Sequence, residues 1–346
     1  MAAGAHDPTR LYRVRDGAYA ADLLIAAVAE FDFFSWLHRR GRVSSSRLCE
    51  ELGVAARPAD VLLTYCAALG LINRQVPHDD RIELTDLARE HLVAGSAFDT
   101  RAYFGSLAER PAAIELAHVL RTGSPAAWAS ARSSTEHHDG DWSGRLGDVE
   151  FAHRITAAMD ARGAFLAPAL AAALDDIPIS ALLDVGGSSG SYACSVLQRH
   201  PDARAAVFER APVDAAARTL LAERGWADRV NVISGDMFTD SLPDGFDVHL
   251  YSHVLHDWDA HRVERLLSSS FAALPPGGWL VDHDSHIDAD KRGPLPVAEY
   301  SVLLMHSTPG KCWSIGEIDE IARRVGFTDL THRPTAGDRS IVLARK

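Results

Sequence analysis

Apolar positions along the first half of the chain recur at helical spacing. Residues 18–38, "AYAADLLIAAVAEFDFFSWLH", keep that spacing in a stretch rich in Ala and Leu, which predicts a helix. In "VSSSRLCEELGV", Ser44 or Ser45 can cap a short helix that ends at Gly53. A second, more apolar helix is predicted in "ARPADVLLTYCAALGLI", and "NRQVPHDDRIELT" reads as two strands around a polar turn. Helix, turn, helix and wing form a winged-helix pattern. Such a module can lay its second helix in a DNA major groove, but here that helix carries Arg57 as its one cation. Dimerisation or scaffolding is therefore the expected role. Residues 96–165 continue helical through "RAYFGSL" and "FAHRITAAMDARGAFL". The polar stretch "SSTEHHDGDWSGRLGD" between them reads as a loop, with His137 and His138 solvated.

From residue 181 the pattern changes. "ALLDVGGSSGSYACSVLQRHP" reads as a buried strand, a Gly/Ser turn and a helix. "RAAVFERAP", "RVNVISGDMF", "FDVHLYSHVLHDW" and "PPGGWLVDHDSH" each supply a further strand, with helical segments such as "PVDAAARTLLAERG" and "DAHRVERLLSSSFAAL" between them. Strands alternating with helices predict an α/β fold with a doubly wound parallel sheet. The tail, "FTDLTHRPTAGDRSIVLARK", reads as two strands joined by a short turn, an antiparallel pair closing one edge. Ligands of such sheets bind outside the carboxyl ends of the strands, where these loops lie.

Composition narrows the functional class. With 346 residues, 47% hydrophobic and 24% charged, the chain is long enough for two globular domains. A net charge of −12 argues against a nucleic-acid partner, which requires a basic face. Cys49, Cys66, Cys194 and Cys312 form no CxxC pair, as expected of reduced thiols in a cytoplasmic protein. "MAAGAHDPTRLYRVRDG" lacks the apolar core of a signal peptide. Asp22, Glu30 and Asp32 interrupt the longest apolar stretch, so no membrane span is expected.

"DVGGSSG" places Gly186, Gly187 and Gly190 between a strand and a helix, where the backbone can turn tightly and approach a ligand. A Rossmann dehydrogenase begins in the same way. Glu209 ends the second strand, where a carboxylate can accept both hydroxyls of a ribose. Asp236 ends the third, where an acid can take an exocyclic amine while Met237 or Phe238 covers an adenine face. The second acid suits an adenosine without a second nucleotide.

At this point the chain resembles the S-adenosylmethionine-dependent methyltransferases of the caffeate/hydroxyneurosporene O-methyltransferase type. The resemblance covers nearly the whole chain: the helical and winged first half, "LLDVGGSSG", "VFERAPV", "GDMF", "VLHDWD", "PPGG" and the closing hairpin. It implies a mostly parallel seven-stranded methyltransferase sheet with a winged-helix dimerisation domain at the N-terminus. The implied domains are residues 1–100 for dimerisation, 101–170 as a helical, substrate-lining region and 171–346 for cofactor binding and catalysis. It further implies that Asp184, Gly186, Gly187, Gly190, Glu209, Asp236, Met237, Phe238 and Ser252 bind the cofactor, and that Tyr103, Met159 and Met305 line the substrate. Ser188 stands where many relatives have glycine.

Histidines carry the remaining chemistry. In the O-methylating members of the family, the histidine of "HDW", here His256, is a general base oriented by two acids. Asp284 occupies one acidic position, whereas Cys312 in "PGKCW" stands where the second acid is expected. His253, His283, His286 and His306 cluster in the same apolar segments. Asp284 and His286, two apart on a predicted strand, share a face, and His283 takes the other. Neutral imidazoles with one carboxylate and open positions describe a transition-metal site, Fe or Zn. "GPLPVAEYSVLLMHSTPGKC" resembles a metal-dependent branch of the family that methylates the carbon beside the keto group of 2-oxo acids. That branch implies His256 and His306 as ligands, Asp284 as third ligand or its support, and His253 as base.

The sequence thus predicts a homodimeric methyltransferase for a small metabolite of secondary metabolism, such as antibiotic biosynthesis. Metal-assisted C-methylation of a 2-oxo acid is favoured over phenolic O-methylation with His256 as base. A winged-helix regulator that senses S-adenosylmethionine is the alternative of another class.

Overall fold

The computed structural model describes residues 6–76, 79–126 and 142–346, so His137 and His138 lie outside the described residues. The chain forms two compact units, and it enters one of them twice. Leu11–Glu136 and Ile287–Gly316 make one unit; Met1–Arg10, His137–His286 and Glu317–Lys346 make the other. The return of residues 287–316 to the first unit is a feature that the linear division at residues 100 and 170 does not provide for.

The first unit is helical around a small sheet. Strands β1 (Val43–Ser44), β2 (Ile72–Gln75) and β3 (Arg81–Leu84) pair antiparallel in the order β1-β3-β2. The expected helix over residues 18–38 is two helices, Ala20–Ala29 and Phe33–Arg40. Asp32 between them adopts a left-handed backbone (φ 42°), which short polar side chains tolerate, and Arg101 donates to its carboxylate at 3.0 Å. The next helix follows the sequence reading closely: Ser44 Oγ accepts from the Arg47 N–H at 3.3 Å, and Gly53 closes the helix at φ 64°. Leu23, Phe33, Leu37, Leu63, Ile82 and Leu116 are fully buried in one cluster with Val302 and Met305 from the returning helix Leu295–Ser307. Burial of each such side chain contributes roughly 1.5–3 kcal/mol. Polar contacts fix the returning segment as well. The Arg57 guanidinium donates to the carbonyls of Met305, Thr308, Gly310 and Gly123, so this cation is taken up within the fold. Asp60 accepts from Lys291, Lys311 and Arg74, tying both ends of the segment to one carboxylate.

The second unit is a seven-stranded sheet. Its strands are β4 (Ala181–Val185), β5 (Arg204–Glu209), β6 (Val230–Ser234), β7 (Val248–Ser252), β8 (Trp279–Asp284), β9 (Thr328–Pro334) and β10 (Ser340–Arg345). They lie in the order β6-β5-β4-β7-β8-β10-β9. Strands β4 to β8 are parallel, and β10 runs antiparallel to both β8 and β9, as the tail predicts. Every residue of β4 and β7 is buried, the signature of central strands covered on both faces. Strand order reverses at β4, between β5 and β7, so a crevice opens at the carboxyl end of β4. All four cysteines are free thiols. Among the described residues, no helix is long and apolar enough to cross a membrane.

Candidate active site

The carboxyl end of β4 presents a cradle with an unmet charge. Asp184 is fully buried, and neither carboxylate oxygen has a hydrogen-bond partner. Burial pushes its carboxyl up to about 7, with the nearby Glu209 adding to the shift. Gly186 turns the chain at φ 69°. At Gly187 a Cβ would sit 2.4 Å from Asp184 Cγ, a separation that only glycine permits. Ser188 takes a left-handed conformation (φ 48°) and donates its N–H to Glu209 Oε2 at 3.2 Å. The departure from glycine at this position therefore leaves the backbone donor in place.

Glu209 closes β5. Its Oε1 accepts from the Arg210 N–H at 2.9 Å, and burial raises its carboxyl to about 7. Beyond β6, Asp236 Oδ1 accepts from the Phe238 N–H at 2.8 Å, so its carboxylate is anchored by its own turn. Met237 Sδ lies 4.0 Å from where a Cβ on Gly186 would be. The Phe238 ring meets Trp258 edge-on at 4.6 Å, and Arg262 lies over both rings. These residues all belong to the sheet unit. An orphaned buried carboxylate, a turn that excludes side chains and two further acids at the strand ends fit S-adenosylmethionine, which carries a cationic sulfonium and amino group beside a ribose and an adenine.

A second cluster forms where β7 and β8 end. After β7, His253 takes a left-handed backbone (φ 58°), and its N–H donates to the His283 carbonyl at 2.9 Å. The short 3₁₀ turn Leu255–Asp257 then brings His256 back over β8. His256 Nδ1 lies 2.6 Å from Oδ1 of Asp284, the last residue of β8. The same Oδ1 accepts from the Ser285 N–H at 2.7 Å. Burial works against charge on both groups, but each favours the ion of the other. Asp284 is held well below the usual carboxylate range by the His256 imidazole, and His256 is raised by Asp284 and Asp257. The His256 ring lies between two acids, Nδ1 at Asp284 and Nε2 3.6 Å from Asp257 Oδ1.

The other histidines have separate roles. Burial first, then the Arg162 charge, hold His253 well below the ordinary imidazole value, and its Nδ1 stands 3.5 Å from Asp284 Oδ1. His283 bonds Ser252 Oγ at 2.9 Å through Nδ1, so the Ser252 hydroxyl is engaged by an imidazole. β8 stops at Asp284, and His286 folds back onto Asp282 (3.0 Å) while its Nδ1 meets Ser340 Oγ at 2.8 Å. His286 thus pairs with Asp282, which lies two residues before Asp284 on β8 and shares its face. Neither this pairing nor the placement of Tyr192 5.4 Å from the His283 ring was signalled by sequence spacing.

Among the described residues, one group of acids and histidines comes within metal-binding reach. It is His253, His256 and Asp284, with donor atoms all within 4.8 Å of one another. His306, expected as a ligand, is not in it. It lies in the helical unit, its Nε2 2.8 Å from Glu115 Oε2 and its ring stacked on Tyr19 at 4.2 Å. Glu115, on its own unit, engages Nε2, and Nδ1 is buried without a hydrogen-bond partner. Cys312, Met305 and Tyr103 also belong to that unit, the first two buried and Tyr103 80% exposed; Met159 is half-buried in the sheet unit.

Comparison with known proteins identifies the family. Residues 114–328 match the O-methyltransferase domain family. A 3-hydroxy-5-methyl-1-naphthoate 3-O-methyltransferase of Streptomyces sahachiroi is 28% identical, over 93% of this chain and 90% of its own. An L-tyrosine C(3)-methyltransferase of Streptomyces lavendulae is 27% identical, over 91% of this chain and 85% of its own. The crystal structure of an O-methyltransferase family 2 protein from Planctomyces limnophilus, in complex with apigenin, superposes with a TM-score of 0.85 at 29% identity, covering 100% of this chain and 98% of that one. The chain belongs to the O-methyltransferase domain family and is an S-adenosylmethionine-dependent methyltransferase.

Proposed function

We propose that this enzyme methylates a phenolic hydroxyl of a small aromatic molecule, with His256 as general base. The observation that carries the reading is the 2.6 Å contact between His256 Nδ1 and Asp284 Oδ1. Bound S-adenosylmethionine supplies an electrophilic methyl group. Asp184 would offer its carboxylate to the cationic end of the cofactor, Glu209 would accept from the ribose and Asp236 from the adenine amine. His256 Nε2 would remove the phenolic proton, and Asp284 would stabilise the imidazolium that results. The burial of the dyad keeps water from competing for the methyl group. The naphthoate-methylating relative and the apigenin complex support an aromatic substrate. The test is His256→Asn: methylation of a phenol panel should fall by roughly 10²–10⁴, while calorimetry shows cofactor binding retained.

Metal-assisted C3 methylation of a 2-oxo acid is the second reading, favoured by the gathering of His253, His256 and Asp284. Its ligand set then takes His253 in place of His306. A bound Fe or Zn would supply Lewis acidity at a keto oxygen, and dialysis against a chelator followed by metal return tests it.

The helical unit is read as a winged-helix dimerisation module: two short helices, a hairpin and exposed Leu11, Val14, Phe98, Ile114 and Tyr103 support that role. The internal bonds of Arg57 and the charge of −12 speak against DNA as its partner, and against a regulator that binds it. Free thiols support a cytoplasmic setting.

A further inference from the structure

Strand β8 ends on the carboxylate that His256 meets. The last rung of the β8–β10 ladder pairs Asp284 with Ser340, and after His286 the chain passes into the helical unit. Asp284 thus stands at a strand end, where backbone frays unless it is tied down.

A side-chain clip continues the ladder past that rung. His286 folds back with Nε2 3.0 Å from Asp282 Oδ2 and Nδ1 2.8 Å from Ser340 Oγ. Asp282 shares the face of Asp284, and Ser340 lies directly across from Asp284 on β10. One imidazole therefore ties the turn after Asp284 both to its own strand and to the neighbouring one. Within that turn the Ser285 N–H donates to Asp284 Oδ1 at 2.7 Å, the same oxygen that His256 Nδ1 meets at 2.6 Å. Holding His286 holds the Ser285 amide, and that amide fixes the direction of the carboxylate.

Stability alone does not call for such a clip. Both Asp282 and His286 are buried, and Asp282 Oδ1 has no hydrogen-bond partner, which costs free energy. Apolar side chains of similar volume often serve a core as well as a buried acid–imidazole pair. The polar clip adds direction, which a catalytic carboxylate needs and apolar packing does not specify.

We infer that His286, held by Asp282 and Ser340, is a positioning residue that orients Asp284 toward His256. This inference rests on the reading of His256 as a base supported by Asp284.

The test uses the full chain carrying Asp282→Leu and His286→Leu together, which leaves no unpaired charge in the core. One readout needs no substrate: the low-field proton resonance of the short His256–Asp284 hydrogen bond, assigned by its loss in Asp284→Asn. In the double variant it should move upfield or broaden away. The other is kcat for the best substrate of the phenol panel, per cofactor-binding site counted by calorimetry. It should fall about tenfold or more, with KM for S-adenosylmethionine unchanged. In an Asp284→Ala background the same pair of substitutions should cost less than about twofold, because its effect passes through that carboxylate. His286→Gln, which keeps a donor for Asp282, should restore part of kcat. If the double variant does not fold, Ser340→Ala, which opens the clip on one side, is read in the same way. An unmoved resonance, or a loss of kcat that adds fully to that of Asp284→Ala, overturns the inference and leaves His256 standing as base. If the wild type shows no such resonance, the kinetic cycle decides. A wild type that methylates no phenol overturns the base reading and the inference with it.

Discussion

His256 Nδ1 and Asp284 Oδ1 meet at 2.6 Å although 28 positions separate them in sequence. Parallel strands β7 and β8 bring their carboxyl ends side by side, and the 3₁₀ turn after β7 folds His256 back onto the end of β8. Burial alone would keep the pair neutral, but the two ions stabilise one another.

The pH dependence follows from that pairing. The base acts unprotonated, and Asp284 and Asp257 outweigh burial to raise His256 above the ordinary imidazole value of about 6.5. The kcat/KM of a phenol should therefore rise with pH, with a midpoint above that value. Asp284→Asn removes an anion that favours imidazolium, so the remaining activity should be lower and its midpoint shifted to lower pH. A midpoint unmoved by Asp284→Asn would contradict the assignment.

Cofactor binding should release protons. Burial lifts Asp184 and Glu209 to about 7, so near neutral pH the free protein holds part of their protons. A cationic ligand favours the carboxylate and expels them. Between the ordinary carboxylate value of about 4 and about 7 the folded state binds more protons than the unfolded, so these acids lower stability as pH rises through that window. Bound S-adenosylmethionine should reverse much of this. Calorimetry at pH 6.5 in two buffers of different ionisation heat should show net proton release; buffer-independent heats would count against the cradle.

Two substitutions test the cradle sterically and chemically. Gly187→Ala forces a methyl to within 2.4 Å of Asp184 Cγ, so the loop must shift and S-adenosylmethionine binding should weaken by at least tenfold. Asp236→Ala should cost roughly 1–3 kcal/mol of cofactor affinity, the loss of a polar partner that also anchors the Phe238 N–H. Unchanged affinity in either variant, measured by calorimetry, would displace the proposed cofactor site.

Local chemistry was readable from sequence, and long-range pairing less so. The Ser44 cap, the Gly53 stop and Glu209 at the end of β5 each depend on neighbours a few residues away, and they stand where the sequence places them, whereas Asp236 lies two residues past the end of β6. The antiparallel tail follows from two strands joined by a short turn. The helix break at Asp32 was hidden because an aspartate in left-handed conformation leaves the apolar spacing nearly intact. The partner of His306 was not legible because proximity along the apolar run says nothing of Glu115, which lies 191 positions away and meets its Nε2.

The most direct measurement is methyl transfer by chelator-stripped protein, offered phenols and 2-oxo acids side by side, with metals absent and then returned. A base built from His256 and Asp284 predicts full O-methylation of a phenol without metal, lost in His256→Asn. Turnover of 2-oxo acids alone, appearing only when a transition metal is returned, would contradict it.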